Sequence, residues 1–191
     1  IQASVLYNKN VLKELTELPV NNKKIILNIS GFEMDEIEEV LSRFNRLFED
    51  SEILLQIGFQ GYPTKIEDSG ILKIKKIKAR FKNRTVFADH IDADNEDSIW
   101  LPVFAALEGV DMIEKHVKHS TLDTKYDFYS SLAIGKYKEY IERLEKYTSL
   151  HDKDFIPKEE LIYLEKSQQI PVLNKSKNKG SFLSWNDFDF K

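Results

Sequence analysis

Cysteine is absent from this chain of 191 residues, so disulfide bonds and thiolate metal sites are excluded. No apolar run approaches the roughly 20 residues that a membrane-spanning helix needs, and the opening residues, IQASVLYNKN, do not resemble a signal peptide. Nor is charge of one sign in large excess, because 32 acidic and 28 basic residues give a net charge of -4. We therefore expect a soluble, cytoplasmic protein that binds neither nucleic acid nor a membrane.

The familiar nucleotide-binding motifs are also missing, since neither a GxGxxG sequence nor a Walker loop occurs. Histidine is scarce, with 4 residues in all, yet two of them fall in the stretch VDMIEKHVKHSTLDTKYD at residues 110–127. This stretch begins as a buried strand and ends in charged residues. Its two histidines, His116 and His119, are either incidental to a solvated loop or part of a site that the strand supplies with ligands.

A repeated alternation of strand and helix patterns organises the chain. Short apolar runs rich in β-branched residues predict buried parallel strands at residues 23–29, 52–59, 84–89 and 110–116. Amphipathic segments lie between them, and we interpret IQASV with the following VLKELTEL as an earlier strand–helix unit. The spacing is typical of βα units with right-handed crossovers. Five parallel strands are therefore expected, followed by a long helix at residues 130–147.

The helical segments carry recognisable ends and faces. Asp35 is expected to cap a helix whose apolar stripe runs from Ile37 to Phe48. Ser98 and Gly109 are expected to begin and to end the apolar helix SIWLPVFAALEG. In SGILKIKKIKARF we interpret the lysines as a solvated helix face rather than a nucleic-acid patch.

A run of βα units is compatible with two architectures, an open doubly wound sheet or a (β/α)8 barrel. Both architectures collect their functional residues at the carboxyl ends of the strands. Those ends carry side chains that can bind ligands or exchange protons: Asn28, Gln60, Tyr62, His90, Glu114 and His116. We therefore predict a site at this edge of the sheet. His119 and His151 lie outside this pattern and are expected on the surface.

Alternation along the strands places two of the histidines together. Residues two apart share a face of a strand, so Glu114 and His116 point the same way, as do Ala88 and His90 on the preceding strand. A single histidine at a strand end is more often a hydrogen-bonded structural residue, but two at matching heights can reach one metal ion. Glu114 would then orient a ligand from outside the coordination sphere. Coordination positions on the ion would remain open for water and substrate. The residue types alone would favour zinc as the ion.

Three segments of the chain together resemble the sialic acid synthase (N-acetylneuraminate synthase) family. GYPTKIED and FADHIDAD are similar to the family's YPTP-x-ED and S-DH patterns. ALEGVDMIEKHVKHSTLDTKYDFYSSL is similar to its A-x-GA-x-x-IEKH segment, which a later aspartate follows. Order and spacing agree across residues 52–132. Near the C-terminus, IPVLNKSKNKGSFLSWNDFDFK is similar to the opening of the antifreeze-like domain that follows the barrel in this family.

The resemblance implies a fold in three parts. Residues 1–150 would supply roughly strands 4–8 of a (β/α)8 TIM barrel, residues 151–169 a linker helix, and residues 170–191 the beginning of an antifreeze-like domain. We therefore expect a piece of a longer chain. A homodimer is also expected, because in the family an arginine of the antifreeze-like domain reaches the partner's site.

The resemblance also implies a chemistry. Phosphoenolpyruvate would condense with an N-acetylated amino-sugar aldehyde, such as N-acetylmannosamine, to give a sialic (nonulosonic) acid and phosphate. A divalent cofactor, Mn²⁺ or Mg²⁺, would polarise the aldehyde. Matching positions assign the roles: metal ligands His90 and His116, catalytic residues Asp127 and Tyr62, and substrate-binding residues Gln60, Tyr62 and Asn28.

The chain departs from the family pattern at several positions. The family has serine at the position of Ala88 and asparagine at that of Gln60, and its serine before threonine–glycine is replaced in the region of Asn28. Its serine–glycine–acid sequence matches residues 3–5, where Ala3 and Val5 supply neither a phosphate-binding hydroxyl nor a catalytic carboxylate. Two function classes therefore stay open: a synthase, and a catalytically impaired relative that acts as a binding or regulatory module. A third is another barrel lyase or aldolase that acts on phosphoenolpyruvate or pyruvate.

Overall fold

In the computed structural model, which describes residues 1–19, 22–119 and 125–191, four parallel strands form the central sheet. The strands are β1 Lys24–Asn28, β2 Glu52–Ile57, β3 Thr85–Asp89 and β4 Met112–Lys115. Each strand pairs with the next one along the chain, so the order is β1-β2-β3-β4. The predicted strands at residues 23–29, 52–59, 84–89 and 110–116, their parallel direction and their order are confirmed.

The strand that begins as β4 changes its neighbour at His116. Beyond this residue the chain continues as β5 (Val117–Lys118), which pairs in parallel with β6 (Leu132–Ala133). The backbone N–H of Leu132 donates to the carbonyl oxygen of His116 at 2.9 Å. His116 therefore lies between two strand pairings.

The expected strand at IQASV is wrong. Ala3–Val5 forms a 3-10 helix, while the preceding Ile1 bonds to β1. Its backbone nitrogen donates to the carbonyl oxygen of Ile26 at 2.6 Å, and its carbonyl oxygen accepts from the backbone N–H of Asn28 at 2.9 Å. So short an apolar run does not distinguish a strand from a helical turn.

Helices pack on the face of the sheet that carries the odd-numbered strand residues. Leu27, Leu55 and Phe87 on this face join the main hydrophobic core with Phe44 and Ile74 from the helices. The helices of this unit are α1 Lys9–Glu17, α2 Met34–Leu47, α3 Lys73–Arg80, α4 Asp97–Leu107 and α5 Ile134–Thr148. The opposite face carries the even-numbered residues, and these include the predicted site.

Two of the predicted helix caps are wrong. α2 begins with a capping box between Glu33 and Glu36, in which each side chain accepts from the other residue's backbone, so Asp35 lies inside the helix. Ser98 lies inside α4 and is fully buried, and its hydroxyl donates to the carbonyl oxygen of Asn95 at 2.7 Å. The predicted apolar stripe of α2 is confirmed except at Leu47, which is exposed, because its other five members are buried: Ile37, Val40, Leu41, Phe44 and Phe48.

Residues 1–151 and residues 152–191 form two compact units. The second unit contains one α-helix and an antiparallel pair of strands: α6 Lys158–Ser167, β7 Pro171–Leu173 and β8 Phe188–Phe190. Several of its large apolar side chains face solvent, and Phe182 and Trp185 are 99% and 81% exposed. Across the described parts of both units, no helix has the length and apolar character needed to cross a bilayer.

Candidate active site at the strand ends

The carboxyl ends of β3 and β4 bring two histidines and a glutamate together. His90 directly follows β3 and His116 directly follows β4, and their ring centroids lie 5.2 Å apart. A ring nitrogen from each histidine and a carboxylate oxygen of Glu114 all lie within 4.8 Å of one another. We call these three residues the His/Glu/His cluster. The predicted alternation of faces thus places Glu114 and both histidines on one side of the sheet.

His90 is held in one orientation and one tautomer. Its side chain is almost fully buried, and Nδ1 lies 2.8 Å from the carbonyl oxygen of Phe59. Because a carbonyl can only accept, Nδ1 carries the proton and Nε2 keeps a free lone pair. Burial lowers the pKa of His90, although the bond to Phe59 opposes this. His90 therefore remains neutral near pH 7, which is the form that binds a metal ion.

His116 has a buried ring nitrogen without a hydrogen-bond partner among the described residues. Its Nε2 makes no hydrogen bond to the part of the chain that the structure describes. Its Nδ1 lies 3.8 Å from a carboxylate oxygen of Asp127, which is close enough for an electrostatic contact but too long for a hydrogen bond. A buried unsatisfied nitrogen is costly unless something binds it, so Nε2 is an available ligand atom.

One short segment holds the backbone of both histidines. The hydroxyl of Ser130 donates to the carbonyl oxygen of His90 at 2.8 Å. Two residues later, the backbone N–H of Leu132 donates to the carbonyl oxygen of His116 at 2.9 Å. The carbonyl oxygen of His90 also accepts from the backbone N–H of Thr64 at 2.8 Å.

Glu114 lies on the same side of the sheet as the two histidines, and its role outside the coordination sphere stays a prediction. Its carboxylate belongs to the same cluster of possible ligand atoms as the two rings. One of its oxygens accepts from the side-chain amide of Gln56 at 2.7 Å. Gln56 was not among the predicted site residues. A lone polar residue inside the apolar run EILLQIGF was the available signal.

Asn28 is 1% exposed and is bound within the sheet. Its Nδ2 donates to Oε1 of Gln56 at 3.2 Å, and its Oδ1 accepts from the backbone N–H of Ser30 at 3.0 Å. The prediction that Asn28 binds substrate stays a prediction, but the contacts of its amide are to protein groups.

Tyr62 and Gln60 lie beside the His/Glu/His cluster. The Tyr62 ring centroid is 4.6 Å from that of His90 and 5.9 Å from that of His116. Its hydroxyl donates to Oε1 of Gln60 at 2.8 Å. Burial, and then the charges of Asp127 and Glu114, raise the pKa of Tyr62. Its hydroxyl therefore keeps its proton near pH 7 and acts as a hydrogen-bond donor.

Asp127 caps no helix through its side chain. It has a left-handed backbone (φ 54°), precedes the 3-10 helix Phe128–Ser130, and makes no capping hydrogen bond. Helix α5 begins later, after Ala133, so neither Asp127 nor Ser130 is its N-cap. The Asp127 carboxylate is 34% exposed and faces His116, so it is accessible to a molecule bound at the cluster.

A buried ion pair lies on the helix-covered side of the same strands. Asp89 and Lys115 are register partners, and Nζ of Lys115 lies 2.6 Å from the Asp89 carboxylate with both side chains at most 2% exposed. Burial raises the pKa of Asp89, and the ammonium of Lys115 opposes this. Each residue immediately precedes a histidine of the cluster, so the pair lies directly behind the site.

Parallel strands in sequential order, with a site at their carboxyl ends, are typical of TIM-barrel-like α/β proteins. Two solved structures share this fold. The chain superimposes with a TM-score of 0.67 on a sialic acid synthetase of Leptospira borgpetersenii, at 20% identity, covering 88% of this chain and 57% of that one. The TM-score is 0.75 with spore coat polysaccharide biosynthesis protein E of Chromobacterium violaceum, at 17% identity, covering 100% and 56%.

The chain belongs to the NeuB family, whose sequence profile matches residues 1–154. This confirms the family that the sequence motifs indicated. An uncharacterised protein of Methanocaldococcus jannaschii is 27% identical over 186 residues, which cover 93% of this chain and 51% of that protein. The chain thus spans about half the length of the curated relative that it matches.

Proposed function

We propose that the chain is the catalytic part of a synthase that condenses phosphoenolpyruvate with an N-acetylated amino-sugar aldehyde to give a sialic acid and phosphate. The observation that carries the proposal is the His/Glu/His cluster at the strand ends, with Tyr62 and Asp127 beside it. Membership of the NeuB family supports the same reaction class.

The cluster fits a divalent metal ion. Two imidazole nitrogens and one carboxylate oxygen are a donor set that such ions accept. The buried Nε2 of His116, which has no hydrogen-bond partner among the described residues, gains a partner when an ion binds. Of the two expected ions, Mn²⁺ suits imidazole better than Mg²⁺, which prefers oxygen ligands. The bound ion would polarise the aldehyde oxygen of the sugar.

Side chains of this protein would bind the sugar and exchange protons with it. The protonated hydroxyl of Tyr62 can donate a hydrogen bond to the sugar, while Gln60 fixes the direction of that hydroxyl. The carboxylate of Asp127 can orient the sugar or exchange a proton with it. In the reaction, C3 of phosphoenolpyruvate bonds to the aldehyde carbon, water adds at C2, and phosphate leaves.

Replacing His116 by alanine should raise the dissociation constant for Mn²⁺ by at least about 100-fold, because even residues that only orient ligands are worth about 10–100-fold. Calorimetric titration with manganese chloride, and then with zinc chloride, measures the effect. His119→Ala is a matched control, because His119 is exposed and lies three residues along the chain. Equal affinities for the wild type and His116→Ala would contradict the metal site.

The alternative is a relative that keeps the site but has lost turnover. It is favoured by Ala3, Val5 and Ala88, which stand where the family has groups that contact phosphate or take part in catalysis. Manganese binding without condensation in the whole protein, supplied with phosphoenolpyruvate and N-acetylmannosamine, would select this alternative.

We also propose that the protein forms a homodimer in which the second unit contributes to the interface. Exposed aromatic side chains such as Phe182 and Trp185 support this, since clustered apolar surface usually marks an interface. The double variant Phe182→Asp/Trp185→Asp should therefore shift the mass measured by light scattering from dimer to monomer. Phe155→Asp is the control, because Phe155 is 98% exposed in the same unit but lies outside residues 170–191. A wild type that is already a monomer would contradict the proposal.

A further inference from the structure

We infer that Gln56 is a positioning residue that holds the Glu114 carboxylate as a direct third ligand of the proposed metal site, through a hydrogen-bond chain anchored at the end of β1. The inference rests on the proposed function and deepens it, because it assigns part of the site's metal affinity to a residue that does not touch the ion. Its structural basis is a set of three consecutive hydrogen bonds across the sheet.

The donor and the acceptor of each of these three hydrogen bonds are fixed. The backbone N–H of Ser30 can only donate, so the Asn28 side chain presents its Oδ1 to Ser30 and its Nδ2 to Gln56. Gln56 must then accept through Oε1, which leaves Nε2 facing Glu114. An ionised carboxylate can only accept, so the last bond has its required donor. One backbone N–H therefore sets the orientation of two side-chain amides.

The hydrogen bond from Gln56 to Glu114 crosses the face of β3. Gln56 lies on β2 and Glu114 on β4, and their register partners on the intervening β3 are Val86 and Ala88. Neighbouring parallel strands are about 4.8 Å apart, so the two long side chains must meet above β3. Ala88 has only a methyl group, and this leaves room for them beside it.

The backbone around Ala88 is packed closely as well. Gly58, which follows β2, has a φ of +142°, and a Cβ atom at this position would collide with the backbone oxygen of Ala88. Glycine at position 58 therefore lets the end of β2 approach β3 closely. The small residues 58 and 88 together keep open the path that Gln56 takes to Glu114.

The chemistry of an amide suits this role. A lysine or arginine at position 56 would also hold the Glu114 carboxylate, but it would neutralise the charge that attracts a cation. The neutral Gln56 amide donates to one oxygen and leaves the negative charge of the carboxylate in place. Gln56 is 6% exposed and Glu114 is exposed to solvent, so Gln56 is the fixed partner of a carboxylate that water can also reach.

The test is manganese affinity, measured by titration of this chain with manganese chloride. Gln56→Met, which has a similar length but no donor, should raise the dissociation constant about 10–100-fold. Gln56→Asn should do the same, because its amide is too short to reach Glu114. Glu114→Gln should weaken binding at least as much, and the double variant Gln56→Met/Glu114→Gln should bind no more weakly than Glu114→Gln alone.

Asn83→Ala is the control for a general loss of stability. Its side chain donates to the carbonyl oxygen of Ile53 at 2.8 Å, near the opposite end of the same strands, so its loss should leave manganese affinity unchanged. A manganese affinity in Gln56→Met equal to that of the wild type would overturn the inference, as would additive losses of affinity in the double variant. His116→Ala tests the metal site itself independently of these results. Absence of turnover with the expected pattern of affinities would reject the proposed reaction and leave the inference intact.

Discussion

Asp127→Asn should reduce the turnover number of the whole enzyme by at least about 100-fold, since positioned proton-transfer groups typically contribute about 10²–10⁴-fold. The carboxylate is one-third exposed, faces His116 at 3.8 Å, and makes no helix-capping hydrogen bond. The substitution removes its charge and its capacity to accept a proton, but it changes the shape of the side chain little. Steady-state kinetics with phosphoenolpyruvate and N-acetylmannosamine measure the effect.

Manganese affinity and thermal stability should change little in Asp127→Asn, because the Asp127 side chain makes no hydrogen bond to the described residues. Asp94→Asn is a matched control, because Asp94 is a 96% exposed carboxylate in the loop after β3. If Asp127→Asn instead loses stability and turns over normally per folded molecule, Asp127 has a structural role.

Lys115→Met should lower the free energy of unfolding by about 3–5 kcal/mol, because it leaves the Asp89 carboxylate buried without its partner. Folded domains are stable by only about 5–15 kcal/mol, so this variant should lose a large part of its total stability. Urea denaturation followed by circular dichroism measures the loss.

The double variant Asp89→Asn/Lys115→Met should recover most of this stability, since no buried charge remains and asparagine can still accept from the backbone N–H of Ile91. Arg84→Met provides a comparison, because its ion pair with Glu52 is about 40% exposed on both sides and should be worth less than about 1 kcal/mol. A double variant as unstable as Lys115→Met would show that the charge on Asp89 is not the cause.

The sequence predicted the sheet and the two histidines for simple physical reasons. Buried parallel strands need continuous apolar runs, and the period of two along a strand fixes which residues share a face. The position of His90 relative to β3 and of His116 relative to β4 followed from these rules. The proximity of their rings, with centroids 5.2 Å apart, is the consequence.

Other features depend on contacts that a linear pattern does not contain. Gln56 reaches Glu114 across an intervening strand, which becomes visible only once the register of three strands is known. The pairing of Asp89 with Lys115 also depends on register. The prediction that Asp35 caps α2 failed for a local reason, because Glu33 and Glu36 form a capping box at the start of the helix.

The strand predicted at IQASV failed because five residues carry too little periodicity. The bond from Ile1 to β1 supplies part of the expected pairing, and the chain then turns into the 3-10 helix Ala3–Val5. Tertiary contacts therefore decided this element, while sequence pattern decided the central strands.

The segment from Ser130 to Leu132 connects the backbones of the two histidines. Ser130 donates to the backbone carbonyl of His90 and Leu132 to that of His116, so both histidine backbones share one anchor. A shared anchor of this kind favours a constant separation between the two rings. In the proposed metal site, this separation governs which ionic radius fits, so we expect substitutions elsewhere in this loop to change where a substrate lies without changing which ion is selected.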